Sequence, residues 1–293
     1  MTHFSERSEL PWAGPIPEVI EAGSPSSAYA FLFALLCDPH DEILVPSPGC
    51  VPDALAHLWG VHLSRYPLVC ERDDWSYEVA AIYDAIGERT RAIVVQSPCE
   101  PVGAMLDRDG LEALAALDLP IIADESSAHV LLDARTAPSA LDAPAPTLTF
   151  TIDAAGQISI GGPEDDVSEA RARLAAIASA HGTGPVAVAP VDAARCRANL
   201  ARLRAIEGVR ALTRIEGGTR VALRMPATRA DESWARLLIE RGIDAEPGSS
   251  AGLEGPWIVL SLDVPEERLA EHAAVLAEVA RHCPVRLVPS SNG

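Results

Sequence analysis

Two short stretches place reactive side chains just beyond apolar runs. Cys99 and Glu100 follow the run RAIVVQ (91–96), while Asp124 closes the run PIIAD (120–124) and is followed by Glu125 and, four residues later, His129. A thiol, three carboxylates and an imidazole on two neighbouring turns could serve acid–base, thiol or metal chemistry. Each also has a plainer role: Asp124 as the cap of its turn, His129 packed on the next segment, Cys99 as a small buried residue. A third stretch, Gly23, Ser24, Ser26 and Ser27, precedes the apolar run 28–37, where free backbone N–H groups and the helix dipole suit an anion. Serine is equally the ordinary N-cap residue of a helix that binds nothing. All 23 basic residues are arginine, so the 293 residues include no lysine. Arginine stays protonated and does not form imines, so chemistry that needs a side-chain amine has no candidate.

The elements that must position these residues alternate. A helix over 26–37 stops at Asp38-Pro39, and apolar runs at 42–46, 61–66, 91–96 and 120–124 read as strands. Helical stretches lie between them at 51–59, 78–87 and 108–118. Strand and helix in alternation predict a mainly parallel sheet covered on both faces, with a crevice at the carboxyl ends of its strands. Strands at 147–152 and 157–161 and a helix over 167–180 follow. Past the Gly- and Pro-rich break at 181–190 come a helix (192–205), strands (209–214 and 219–224), a helix (231–241), a strand (256–262) and a helix (265–282). The expected division is an N-terminal segment (1–22), a large domain (23–185), a small α+β domain (186–283) and a tail (284–293).

Composition narrows the function classes. With 42 acidic and 23 basic residues the formal charge is -19, a field that repels nucleic-acid phosphates and anionic membranes, so neither is expected as a partner. The N-terminus lacks a basic flank before an apolar core, and the run 28–37 is too short to span a bilayer. Six cysteines, none of them in CxxC spacing, point to reduced thiols in a cytoplasmic protein, with no metal site expected.

The order of motifs resembles the class I/II aminotransferase family of pyridoxal-phosphate fold type I. GSPSSAYAFLFALLCDPHDEILVPSPGC is similar to the family's phosphate turn, helix and first strand, and RAIVVQSPCEPVGAMLDRDGLEAL to its "NPxNPTG" strand and turn. PIIADESS is similar to the "DExY" strand end, and ERGIDAEPGSSAG with WIVLSLDVPEERL to the C-terminal signature. The resemblance covers most of the chain and implies an α/β fold: an aminotransferase-like large domain with a mainly parallel sheet covered by helices, plus a smaller α+β C-terminal domain.

The resemblance also assigns positions. Asp124 falls where the family's aspartate pairs with the pyridine nitrogen, Glu100 where an asparagine meets the ring oxygen, Ser127 where a tyrosine assists it and Cys50 near the stacking aromatic. The Schiff-base lysine would stand near Ile152 and Asp153, and Val259 replaces the arginine that clamps a substrate carboxylate. The cofactor set that the resemblance implies is therefore Gly23, Ser24, Ser26, Ser27, Cys50, Glu100, Asp124 and Ser127, and the acid–base candidates are Asp124, Glu100 and His129. Without the lysine, no covalently held cofactor is expected; pyridoxal or pyridoxamine phosphate held non-covalently is the remaining option. The resemblance implies a chain shorter than a typical member, chiefly before Gly23 and after Pro163, and with it a more open crevice. The expectation is a protein without conventional transaminase chemistry, acting in a biosynthetic pathway by binding a small molecule or protein, as a homodimer or with a related subunit. The alternative is an enzyme that reuses the crevice for acid–base chemistry.

Overall fold

The structure, a computed structural model, describes residues 19–134, 136–143, 146–181, 190–211 and 214–281. Most of the segment expected before residue 23, and the tail from 284, lie outside the described residues. In chain order the first group, a large sheet with its helices and a separate two-stranded hairpin, comprises β1 (Ile20–Glu21), α1 (Pro25–Leu36), β2 (Glu42–Ser47), α2 (Asp53–Leu58), β3 (His62–Pro67), β4 (Val69–Glu71), β5 (Asp74–Ser76), α3 (Val79–Asp84), β6 (Thr90–Gln96), α4 (Arg108–Ala115), β7 (Ile121–Asp124), β8 (Thr149–Ile152), β9 (Gln157–Gly161) and α5 (Glu164–His181), the hairpin being β4–β5. The second group comprises α6 (Ala193–Arg204), β10 (Arg210–Ala211), β11 (Arg220–Arg224), α7 (Asp231–Glu240), β12 (Ala245–Pro247), β13 (Trp257–Ser261) and α8 (Glu266–Arg281).

The seven-stranded sheet runs β1-β9-β8-β7-β6-β2-β3. Its five strands from β8 to β3 are parallel, and β9 and β1 add an antiparallel edge. Residues alternate between faces with the period of two that a pleated strand imposes. Ile43 and Val45 of β2, with Ala92 and Val94 of β6, point into the core shared with α1 and α5. Leu44, Ile93 and Val95 point the other way, into a core that α3 and α4 cover and that continues into the second group of elements. Helix α1 is apolar nearly all round because it is buried on both sides, packed between the sheet and α5. Ser24 caps it, with Pro25 as its first residue.

The four-stranded sheet β10-β11-β13-β12 is antiparallel throughout. Residues 215–222 tie it to the first sheet by main-chain hydrogen bonds. Glu216 N–H donates to Gly103 O (3.0 Å), Gly218 N–H to Val130 O (2.9 Å), Ala222 N–H to Pro101 O (3.1 Å), and Leu132 N–H to Glu216 O (2.9 Å). Gly103 has φ +69°, and a Cβ there would lie 2.4 Å from Ile215 Cγ2, so this junction needs glycine for both backbone and space. The hairpin β4–β5 and the short strand β12 were not expected from periodicity, being only three residues each. None of the described helices is long and apolar enough to cross a membrane.

Candidate functional site

Chain order places β2 and β3 on one side of a switch and β6, β7 and β8 on the other, and a crevice opens at the carboxyl ends of the strands beside that switch. Its volume is about 410 Å³. Three strand ends supply the floor: Gly49 and Cys50 beyond β2, Gln96 at the end of β6, and Asp124 at the end of β7. Gln96 and Asp124 are register partners, so the parallel ladder itself sets their side chains together. One wall is the first turn of α1, where Ser26 and Tyr29 face the crevice at helical spacing. The opposite wall comes from the second sheet, through Arg220 at the start of β11 and Glu246 in β12.

Asp124 is 8% exposed and well provided with donors. The Tyr29 hydroxyl donates to its Oδ2 at 2.9 Å, Gln96 Nε2 approaches the same oxygen at 3.4 Å, and Ser126 N–H donates to Oδ1 at 3.1 Å. The last bond is the turn-capping role that sequence alone allows for an aspartate at a strand end. Burial first, and then the Asp124 charge, push the Tyr29 hydroxyl well above its ordinary pKa, which keeps it a donor at all accessible pH. Gln96 also braces Cys50 on both sides of its peptide, accepting from Cys50 N–H (2.9 Å) and donating to Cys50 O (2.9 Å).

Glu100 holds structure together across the crevice. Its Oε1 accepts from Ser127 Oγ (2.9 Å), Thr219 N–H (2.6 Å) and Thr219 Oγ1 (2.9 Å). These bonds join the turns after β6 and β7 to the residue immediately before β11. Among the described residues its Oε2 has no donor.

The five residues expected to converge do so only in part. Glu100 and Asp124 line the crevice. Cys99 is fully buried beneath it, donating to Pro48 O at 3.3 Å, and burial drives its thiol far above the usual range. Glu125 turns away to cap the turn at 139–142, accepting from Ala140 N–H (2.7 Å) and Ser139 Oγ (3.1 Å), and burial raises its pKa. His129 is exposed and does not line the crevice: two successive turns, closed by Ala128 N–H to Glu125 O and Val130 N–H to Ser127 O, carry it outward. Among the described residues no cluster of three or more His, Cys, Asp or Glu side chains is arranged to hold a metal ion.

At the expected anion turn, Ser24 accepts from Ser27 N–H at 3.1 Å and its hydroxyl meets that of Ser27 at 2.9 Å, the ordinary capping arrangement. Ser26 is exposed and faces the crevice, and Gly23 is buried with φ +82°. Cys50 lies on the floor with Arg220 Nη1 3.4 Å from its sulfur. Burial raises that thiol to about 11 against the opposing pull of Arg220. Beyond β8, Ile152 is buried and Asp153 exposed, the latter accepting from Ala155 N–H (2.9 Å) and Gln157 N–H (2.8 Å) in a closed turn. Gly156 of that turn abuts the α1 cap so closely that a Cβ would sit 2.2 Å from Ser24 C. Val259 is buried opposite Ala222.

Sequence reasoning missed Tyr29, Gln96, Thr219, Arg220 and Glu246. Tyr29 left a trace, since a hydroxyl inside an otherwise apolar helix needs a partner. Arg220 left none, because an arginine opening a short strand reads as an exposed edge.

Comparison with known proteins adds the following. A model of the family described as aminotransferase class I and II matches residues 16–148. Tyrosine aminotransferase of Bos taurus is 31% identical over 113 residues, 37% of this chain and 25% of that protein, so the chain spans about a quarter of that relative's length. Aspartate/prephenate aminotransferase of Thermus thermophilus is 28% identical over 282 residues, 85% of this chain and 71% of that protein. An alanine aminotransferase from Pyrococcus furiosus superimposes with a TM-score of 0.72 at 22% identity, over 90% of this chain and 76% of that one. An aminotransferase from Escherichia coli gives 0.75 at 19% identity, over 90% and 75%. At these identities the solved structures show the fold.

Proposed function

We propose that this chain, whose residues 16–148 match the class I and II aminotransferase family and whose fold is that of aminotransferases, is a member without amino-group exchange, which uses the crevice to bind a small molecule in a biosynthetic pathway. The observation that carries this reading is the lack of any lysine in 293 residues, with a closed turn capped by Asp153 where the family's imine-forming residue is expected. A lysine would both tether the aldehyde and move the substrate's alpha proton, and no residue on this turn does either.

Members of the family use pyridoxal phosphate, which when bound acts as an electron sink. The side chains of this crevice do not fit it. Among the described residues its lining carries the carboxylates Asp53, Glu100, Asp124 and Glu246 against one guanidinium, Arg220, which Glu246 already engages, and of the four only Asp53 has a further cation, Arg65, beside it. A phosphate dianion and a phenolate-like ring oxygen would enter a field of their own sign, with Glu100 in place of an amide. The Asp124 carboxylate, which would face the pyridine nitrogen, is supplied with donors by Tyr29, Gln96 and Ser126.

The competing reading, an enzyme that reuses the crevice for acid–base chemistry or holds the cofactor non-covalently, draws on Glu100 and Asp124 both facing it. It is weakened by His129 and Glu125 turning away and by the structural bonds at Glu100. Pairing with a second copy or a related subunit through the large-sheet unit belongs to the same proposal, as does a cytoplasmic setting, in keeping with the five free cysteines among the described residues.

The test is the absorption spectrum of the purified protein with and without pyridoxal and pyridoxamine phosphate, together with turnover of amino-acid and 2-oxo-acid pairs. The expected result is no retained chromophore and no turnover. Amino-group exchange in a sample freed of host enzymes refutes the reading.

A further inference from the structure

Arg220 occupies a singular position. It lines the crevice of about 410 Å³ and, from its other side, a second cavity of about 260 Å³ formed over the small sheet. Glu246 lines both as well, so the ion pair between the two side chains forms a partition. Among the described residues Arg220 is the sole cationic side chain in either lining.

Its present partners leave much of its binding capacity unused. A guanidinium presents five N–H donors in a planar fork. One nitrogen meets Glu246 and another meets the Cys50 sulfur at 3.4 Å, a weak acceptor, and no other acceptor is found among the described residues. The Arg220 side chain is 27% exposed, whereas that of Glu246 is 57% exposed. The carboxylate can therefore swing into water at little cost, because exposed ion pairs are weak and well screened. The guanidinium, backed by the crevice floor, stays in place.

We propose that Arg220 is the recognition group for a small monocarboxylic acid, whose carboxylate takes the place of Glu246 and engages the guanidinium fork in the crevice. This rests on the reading of the crevice as a small-molecule site. Charge decides the class of ligand. Glu100 and Asp124 line the same space, whereas Asp53 beside them is already paired with Arg65, so a single negative charge centred on Arg220 is tolerated where the dianionic state of phosphate is opposed. The fork matches a carboxylate with two parallel bonds. Thr219, the residue before Arg220, donates to one oxygen of Glu100, and the other oxygen of that carboxylate lacks a donor among the described residues. A hydroxyl beside the ligand's carboxylate would supply one, which favours hydroxy acids over plain ones.

The experiment is isothermal titration of the full chain with lactate, propionate and inorganic phosphate at low ionic strength, using the natural sequence, Arg220→Gln and Glu246→Gln. Lactate is expected to bind more tightly than propionate, and both more tightly than phosphate. Arg220→Gln weakens lactate binding by about tenfold or more, the loss of a charge-assisted pair. Glu246→Gln tightens it by about two- to fivefold, because the competing carboxylate is gone. Equal lactate binding in Arg220→Gln, weaker binding in Glu246→Gln, or phosphate binding above that of lactate overturns the proposal. Should Arg220→Gln fail to fold by circular dichroism, Glu246→Gln decides alone, since it alters an exposed side chain: no tightening refutes. Transaminase turnover would overturn the proposed function without touching these titrations, and flat titrations would leave the non-catalytic reading standing.

Discussion

Glu100 separates a structural from a chemical account of the crevice. A carboxylate kept for acid–base work is often a liability to stability, whereas here one oxygen gathers three donors from two other segments of chain. Replacing Glu100 with alanine strands the Thr219 N–H, whose 2.6 Å bond is the shortest of the three, and removes the acceptor that fixes the entry to β11. Hydrogen bonds to a charged acceptor contribute about 1.5–3 kcal/mol each and are not additive, and half-buried Thr219 recovers some hydration, so the expected loss is about 2 kcal/mol. At roughly 2–4 °C per kcal/mol for chains of this size, the melting temperature falls by about 4–8 °C. Glutamine keeps an acceptor oxygen and loses only the charge assistance, so Glu100→Gln costs roughly half as much. Denaturant titration followed by far-UV circular dichroism gives both numbers. If Glu100→Ala is as stable as the natural sequence, the carboxylate does not tie the two sheets together and its role must be sought in chemistry.

Other outcomes follow from the same geometry. Tyr29→Phe removes the 2.9 Å bond to a carboxylate that is 8% exposed, leaving Gln96 at 3.4 Å as the other donor to Oδ2, and should destabilise by about 1–3 kcal/mol in the same denaturant assay. Cys50, with its thiol raised to about 11, should react with iodoacetamide at pH 8 on the order of a hundredfold more slowly than an unperturbed thiol of pKa about 8.5, as peptide mass spectrometry over time would show; comparable rates refute the burial argument. Hydrogen bonds from Arg204 hold Asp133 below its ordinary pKa, helped by Ile215 N–H and opposed by burial. The unfolded chain therefore takes up this proton first. The stability that Asp133 contributes is complete above the ordinary aspartate value of about 3.9 and is lost as pH falls through the lower folded value, so Asp133→Asn should flatten that part of an acid-unfolding profile.

The large sheet was legible because its signals are local. The apolar runs ending at Gln96 and Asp124 have the length and β-branched content of buried parallel strands, and their parallel pairing puts those two residues side by side. The two outermost residues expected to join them were misplaced for an equally local reason that spacing does not encode. Once Asp124 accepts from Ser126 N–H, the chain enters consecutive turns, and each residue of a turn points in a new direction, so Glu125 faces the 139–142 turn and His129 faces water. The rest of the site depends on where residues 215–222 dock. Thr219 reaches Glu100 across 119 positions, and Arg220 meets Cys50 across 170. No periodicity carries information over such separations. What the sequence does carry is the permission for that docking, in Gly103, where any side chain would collide with Ile215. Arg220, the one strong cation among the described residues of the crevice lining, is thus delivered by a backbone junction, and the charge balance that disfavours a phosphate dianion is a consequence of tertiary packing rather than of any motif.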